Sequence, residues 1–122
     1  MKKILFIEDD SALQKTLGDT LRQEGYNLIS ALDGEIGLRM VQKENPDLVL
    51  LDLILPKLDG FEVLQRLKED PKTKGIPIII LTNLERMEDI DRALELGAST
   101  YLVKANYTLE EVVEKVEKVL KA

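Results

Sequence analysis

The segment Ile4-Leu5-Phe6-Ile7-Glu8-Asp9-Asp10 passes from an apolar run straight into three consecutive acids. Leu48-Val49-Leu50-Leu51-Asp52 repeats the pattern with one acid. Short runs rich in β-branched residues and leucine are typical of strands buried on both faces of a parallel sheet. Open α/β sheets bind their ligands beyond the carboxyl ends of the strands. If these two strands are neighbours, their acids share one crevice. Carboxylates that close cannot all stay ionised unaided. The usual help is a hard divalent cation, and oxygen-only ligands with water suit magnesium. Such a cluster at a sheet edge is a place to handle phosphate.

Outward from these two runs, strand-like and helix-like segments alternate. Leu13, Leu17 and Leu21 recur at four-residue spacing, which predicts an amphipathic helix from Ser11 to Gln23 that stops at Gly25. Asn27 to Ala31 reads as a second strand. Asp33-Gly34 opens a helix to about Glu44, which Asn45-Pro46 ends. The third strand is Leu48 to Asp52, and Pro56 with Asp59-Gly60 marks the loop after it. A helix from about Phe61 to Glu69 stops before Pro71. Ile76 to Leu81 is the most apolar strand, followed by Thr82-Asn83 and a helix from about Met87 to Leu96. Thr100 to Val103 is the fifth strand. Thr108-Leu109-Glu110-Glu111 is a capping box, and Leu109, Val112, Val113, Val116, Val119 and Leu120 form one apolar stripe beyond it.

This alternation predicts an α/β fold, a doubly wound sheet with right-handed crossovers. The expected strand order is 2-1-3-4-5. It puts the switch point between strands 1 and 3, the two that end in acids. At 122 residues the chain is expected to be one domain, 1–122, without linker, repeat or output domain.

Composition narrows the chemistry. A net charge of −6 argues against direct nucleic-acid binding, which needs a basic footprint. With no histidine, the chain has no Ser-His-Asp or Cys-His nucleophile, no imidazole metal site and no phosphohistidine of its own. With no cysteine there is neither disulfide nor thiolate zinc site, which agrees with a cytoplasmic protein. No apolar run reaches transmembrane length. Any nucleophile must be a carboxylate, a hydroxyl or a lysine.

Each candidate has an ordinary reading beside the functional one. Asp10 is explained by the helix it precedes, whose dipole favours an acid. Three acids after a buried run are not, so Glu8 and Asp9 are read as metal ligands. Asp52 lies inside an apolar run that continues through Leu53-Ile54-Leu55, where a lone acid is costly unless paired or metal-bound. Asp59 is a turn residue and helix cap. Thr82 and Lys104 end strands 4 and 5 and offer a hydroxyl and an ammonium to phosphoryl oxygens.

Glu8-Asp9, Asp52 with Pro56 and Asp59-Gly60, Thr82, and Tyr101-Leu102-Val103-Lys104 together resemble the receiver domains of two-component response regulators. The resemblance covers essentially the whole chain and implies a flavodoxin-like (βα)5 fold. It implies that Asp52 accepts a phosphoryl group from the histidine of a sensor kinase or a histidine phosphotransfer protein. Glu8, Asp9, Asp52 and the backbone carbonyl of Ile54 would hold Mg2+. Lys104 would pair with Asp52 and then with the phosphoryl group. Thr82 would move towards that group and vacate space for Tyr101, unless Tyr101 is an ordinary edge-strand aromatic. Output would pass to an unknown downstream protein through the fourth helix, fifth strand and fifth helix, from a monomer or a weak phosphorylation-dependent dimer that touches no membrane. The domain would catalyse only its own phosphorylation and dephosphorylation.

The chain departs from the family pattern in two places. Ala105 stands where proline usually follows the lysine, and the next loop is one residue longer, which favours a trans Lys104–Ala105 bond. Asn83 replaces a small residue. Three rivals are less consistent. A phosphate-independent scaffold would usually have lost Asp52, Thr82 or Lys104. An aspartyl phosphatase would want an acid where Ile54 sits. A flavodoxin would carry a Ser/Thr/Gly-rich loop after the first strand.

Overall fold

The structure is a computed structural model, and it describes residues 1–121. Its elements are β1 (Lys3–Ile7), α1 (Ser11–Gln23), β2 (Asn27–Ala31), α2 (Gly34–Glu44), β3 (Leu48–Leu51), α3 (Gly60–Glu69), β4 (Ile78–Thr82), α4 (Met87–Glu95), β5 (Thr100–Val103) and α5 (Leu109–Lys121). All five strands pair in parallel, in the order β2-β1-β3-β4-β5. The alternation and the switch point between β1 and β3 are as the sequence predicts.

The side-chain alternation of β1 divides the core into two layers. Leu5 and Ile7 face Val41 of α2, Phe61, Val63, Leu64 and Leu67 of α3, and Ala93 of α4. Ile4 and Phe6 face Leu17 and Leu21 of α1, with Val112, Val113 and Val116 of α5. Full burial of each such side chain contributes about 1.5–3 kcal/mol relative to exposure. Slipping β1 by one residue would exchange its two faces, so the packing fixes the register. That register places Ile7 beside Leu51, and the residues that follow each, Glu8 and Asp52, emerge together at the carboxyl edge.

Capping fixes where several helices begin. Asp10 accepts from the amides of Ala12 and Leu13, and Asp59 from the amide of Glu62. Thr108 and Glu111 bond each other's amides through their side chains, at 3.1 and 2.9 Å, completing the predicted capping box. Asp10 and Asp59 are therefore helix caps. Two strand boundaries differ from the sequence reading. β4 starts at Ile78 because Pro77 has no N–H to give the ladder. β3 stops at Leu51, although the Asp52 amide still donates to the Ile7 carbonyl at 3.1 Å.

Gly60 makes the acidic edge possible. Its amide donates to the Leu53 carbonyl at 2.9 Å, closing the loop between β3 and α3. A Cβ there would collide with the Asp52 carbonyl oxygen and the Leu53 Cα. Inside this loop Lys57 takes a φ of 73°, and Leu58 donates across it to the Pro56 carbonyl at 2.8 Å. This is a γ-turn of the strained hand, held by a residue other than glycine. No cis peptide bond occurs among the described residues, so Lys104–Ala105 is trans. No helix among them is long and apolar enough to cross a membrane.

Candidate functional site

Three carboxylates meet at the switch point. Glu8 leaves the end of β1, Asp9 follows it, and Asp52 leaves the end of β3. One oxygen from each lies within 4.8 Å of the others. Glu8 is fully buried, Asp52 is 4% exposed, and Asp9 is open to solvent. Lys104, on the short 3-10 turn Lys104–Asn106 that follows β5, reaches over them. Its Nζ lies 3.0 Å from Asp52 Oδ2, to which it donates, and 2.6 Å from Glu8 Oε1. The sheet therefore brings together four of the residues predicted from sequence.

Glu8 and Asp52 are each held by backbone as well as by charge. The Asp10 amide donates to Glu8 Oε2 at 3.1 Å, and the Ile54 amide donates to Asp52 Oδ1 at 3.2 Å. The side chain of Ile54 points largely to solvent. Burial pushes the Glu8 carboxyl up to about 7, against the pull of the Lys104 ammonium and with the push of Asp52. Burial alone would lower Lys104, but the Glu8 and Asp52 carboxylates outweigh it and hold the ammonium above its ordinary value.

The donor set suits a hard divalent cation. All the offered atoms are carboxylate oxygens, with neither imidazole nor thiolate. Glu8 Oε1 is buried, and the Lys104 ammonium at 2.6 Å is the ion-pair contact found for it among the described residues, so the oxygen keeps capacity for a cation. Three carboxylate oxygens within 4.8 Å of one another are close enough to be drawn onto one such ion.

Thr82 is fully buried at the end of β4. Its Oγ1 accepts from the Leu84 amide at 3.5 Å. The Tyr101 hydroxyl donates to the carbonyl of the same Leu84 at 2.9 Å. Burial first, then the charges of Asp89 and Asp52, push the Tyr101 phenol up to about 12, so the hydroxyl remains a donor at ordinary pH. Tyr101 is thus half-buried and tied to the turn after β4.

Two contacts lie outside what the sequence reading anticipates, the first of them at the site. Gln14 of α1 is buried, and its Nε2 donates to the carbonyls of Phe6, Glu8 and Ala31. The signal was available, because position 14 lies three residues before Leu17 and seven before Leu21, on the apolar face of α1. Arg92 of α4 stacks its guanidinium 4.1 Å from the ring centre of Phe61 on α3. Nothing in the local pattern marks that pair, which depends on how the two helices pack.

Comparison with known proteins agrees with this geometry. The family model for the response regulator receiver domain matches residues 4–117. The DNA-binding dual master transcriptional regulator RpaA of Synechocystis is 39% identical over 121 residues, 99% of this chain and 50% of that protein. A probable transcriptional regulator, ycf27 of Porphyridium aerugineum, is 42% identical over 120 residues, 98% of this chain and 48% of its own length. The chain thus spans about half the length of these two relatives. A CheY-like receiver domain protein from Methanospirillum hungatei superposes with a TM-score of 0.92 at 28% identity, covering 99% of this chain and 94% of that one. The receiver domain of a sensor histidine kinase from Pseudomonas aeruginosa, solved with magnesium in its active-site cleft, gives 0.89 at 26% identity, covering 99% and 98%. With the fold, the strand order and the family match in agreement, the chain belongs to the response regulator receiver domains of two-component systems.

Proposed function

We propose that this domain is a magnesium-dependent, phosphorylation-activated switch whose phosphoacceptor is Asp52. The observation that carries the reading is the Lys104 ammonium lying between Asp52 Oδ2 and Glu8 Oε1 at the mouth of an all-oxygen cluster. The phosphoryl group would come from a histidine of a sensor kinase or of a phosphotransfer protein, since the chain has none.

Glu8, Asp9, Asp52 and the Ile54 carbonyl would hold Mg2+. When bound, the ion offsets negative charge on the acceptor carboxylate and the incoming phosphoryl oxygens. The remaining work falls to the chain. The Ile54 amide fixes Asp52 Oδ1, which leaves Oδ2 to attack phosphorus in line as the P–N bond to the donor imidazole breaks. Lys104 gives up its bond to Oδ2 and moves its charge to a phosphoryl oxygen. Thr82 turns its hydroxyl to a second oxygen, away from the Leu84 amide. The Leu84 turn then resettles, and Tyr101, tied to the Leu84 carbonyl, moves with it. This links a local charge change to an element with two arrangements.

Output by protein contact, through the α4-β5-α5 surface of a cytoplasmic monomer or weak phosphorylation-dependent dimer, completes the proposal. The DNA binding in the name of the Synechocystis relative belongs to a protein about twice as long. The test is intact-mass measurement after incubation with acetyl phosphate, with and without magnesium. One phosphoryl adduct is expected on wild type with magnesium and none on Asp52→Asn. Equal labelling of both proteins would remove Asp52 from the role.

A further inference from the structure

We infer that Gln14 is a positioning residue for the metal site, holding the turn that presents Glu8 and Asp9. The inference rests on the reading of those acids as magnesium ligands. Gln14 stands in the second turn of α1 and is 7% exposed. Its Nε2 donates to Phe6 O at 2.8 Å, Glu8 O at 3.1 Å and Ala31 O at 3.1 Å. An amide nitrogen carries two hydrogens, so three carbonyls share them. Those carbonyls come from the end of β1, the turn after it and the end of β2. One side chain thus fastens α1 to the carboxyl edge just where the chain turns into the acids.

The arrangement is costly elsewhere. With its nitrogen committed, Gln14 leaves Oε1 buried without a partner. A buried acceptor in that condition destabilises a fold, and methionine would fill similar space without it. Packing alone therefore does not explain a glutamine here. The carbonyls do explain it. Glu8 is gripped at its amide by Ala31 O at 3.0 Å, at its carbonyl by Gln14, at Oε2 by the Asp10 amide, and beside Oε1 by Lys104. Gln14 is the only side chain among the described residues that hydrogen-bonds the backbone of Glu8. Removing it would free the carbonyl, and with it the peptide plane that leads into Asp9.

Partners that orient ligands in this way typically contribute 10- to 100-fold to metal affinity. Calorimetric titration of magnesium into wild type, Gln14→Met and Leu21→Ala tests the inference, at a temperature where circular dichroism shows all three folded. Leu21 is buried on the same helix, seven residues beyond Gln14 and so away from the helix end that meets the acids, and its loss reports destabilisation. Gln14→Met is expected to bind about tenfold more weakly than wild type, and Leu21→Ala to bind as wild type does. Equal affinity of Gln14→Met and wild type, or an equal loss in Leu21→Ala, would overturn the inference. Failure of wild type to bind magnesium, with no difference from Asp9→Asn, would instead overturn the ligand reading beneath it. If Gln14→Met does not fold, NMR of wild type decides. The Gln14 side-chain amide signals should shift with the Glu8 amide as magnesium is added, and unmoved signals would refute the role.

Discussion

Removing one charge from the acidic cluster should stabilise the metal-free protein and weaken its response to magnesium. The perturbation is Asp9→Asn. Asp9 offers an oxygen within 4.8 Å of oxygens of both Glu8 and Asp52. Two unit charges 4.8 Å apart repel by about 3.5 kcal/mol at an effective dielectric of 20, and by about 0.9 kcal/mol in bulk water. Asp9 is exposed, so its repulsions lie near the lower figure, and Lys104 compensates its two buried neighbours in part. A net gain of about 1 kcal/mol follows, or about 4 °C in Tm for a domain of this size. The assay is thermal unfolding in chelator and in saturating magnesium. Wild type should gain more from magnesium than Asp9→Asn, because ligand stabilisation grows with affinity. In chelator, pH gives the sign a second check. Glu8 has its folded-state value raised to about 7 from an ordinary 4.5. The folded state then holds its proton more tightly, so stability is fully present below 4.5 and is lost as pH rises towards 7. The advantage of Asp9→Asn should accordingly be largest above that window. A variant that melts below wild type in chelator, or one that gains as much from magnesium, would refute the reasoning.

The other expectations follow from single contacts. Lys104→Ala strips the counter-charge from two buried acids and should lower metal-free stability by about 3 kcal/mol; it should still permit some phosphorylation yet uncouple it from α4, and equal amide shifts in variant and wild type on adding a phosphate mimic would contradict the coupling. The receiver resemblance implies that the residues two beyond Asp52 and two beyond Thr82 flank the path of the attacking water; here they are the apolar Ile54 and Leu84, so the phosphorylated protein should decay slowly and Ile54→Asn with Leu84→Glu should speed decay; fast decay of wild type would place control of water elsewhere. Lys57→Gly relieves a positive-φ turn residue worth about 1–2 kcal/mol but loosens the unfolded chain by about 0.5–1, so urea titration should show a gain of about 0.5 kcal/mol. Tyr101→Phe removes the bond to the Leu84 carbonyl and should cost about 1 kcal/mol; an unchanged urea midpoint would mean that water replaces the hydroxyl at no loss.

What could be read from the sequence had a local cause. Strand runs such as Ile4–Ile7 and Leu48–Leu51 declare themselves because a parallel sheet buries both faces, and no surface alternation competes with the signal. Caps such as Asp59 and the Thr108/Glu111 box are also local, since donor and acceptor lie within one turn. The acids could be placed because strand order converts distance along the chain into adjacency: Glu8 and Asp52 are 44 residues apart, yet each leaves the sheet one residue beyond the Ile7/Leu51 pair. The place of Gln14 on the apolar stripe of α1 marks it as buried, but its partners are not local, since only the assembled edge puts three carbonyls around one side chain. The Arg92–Phe61 stack lay outside sequence reading for the same reason. The strain at Lys57 arises from closing the loop from Leu53 to Gly60, a constraint that propensity does not contain.

Leu84 is the residue through which a phosphate-driven change would have to pass, and its two tethers are unequal. Its amide reaches Thr82 Oγ1 at 3.5 Å, the outer limit of a hydrogen bond, whereas its carbonyl accepts from Tyr101 at 2.9 Å. The weaker bond is the one that would be surrendered when Thr82 turns to a phosphoryl oxygen, and a charge-assisted bond to that oxygen is about twice as strong as a neutral one. The stronger bond joins the turn to β5. Thr82 and Val103 face each other in the β4/β5 register, and Tyr101 pairs with Ile80 one turn of the pleat earlier, so the hydroxyl that holds Leu84 comes from the strand leading to Lys104. Both side chains proposed to answer the phosphoryl charge therefore converge on the same segment: Lys104 through the strand that leads into it, and Thr82 through the turn bonded to that strand. On this reading, the turn after β4 responds as a unit because it is loosely held where the signal enters and firmly held where it leaves.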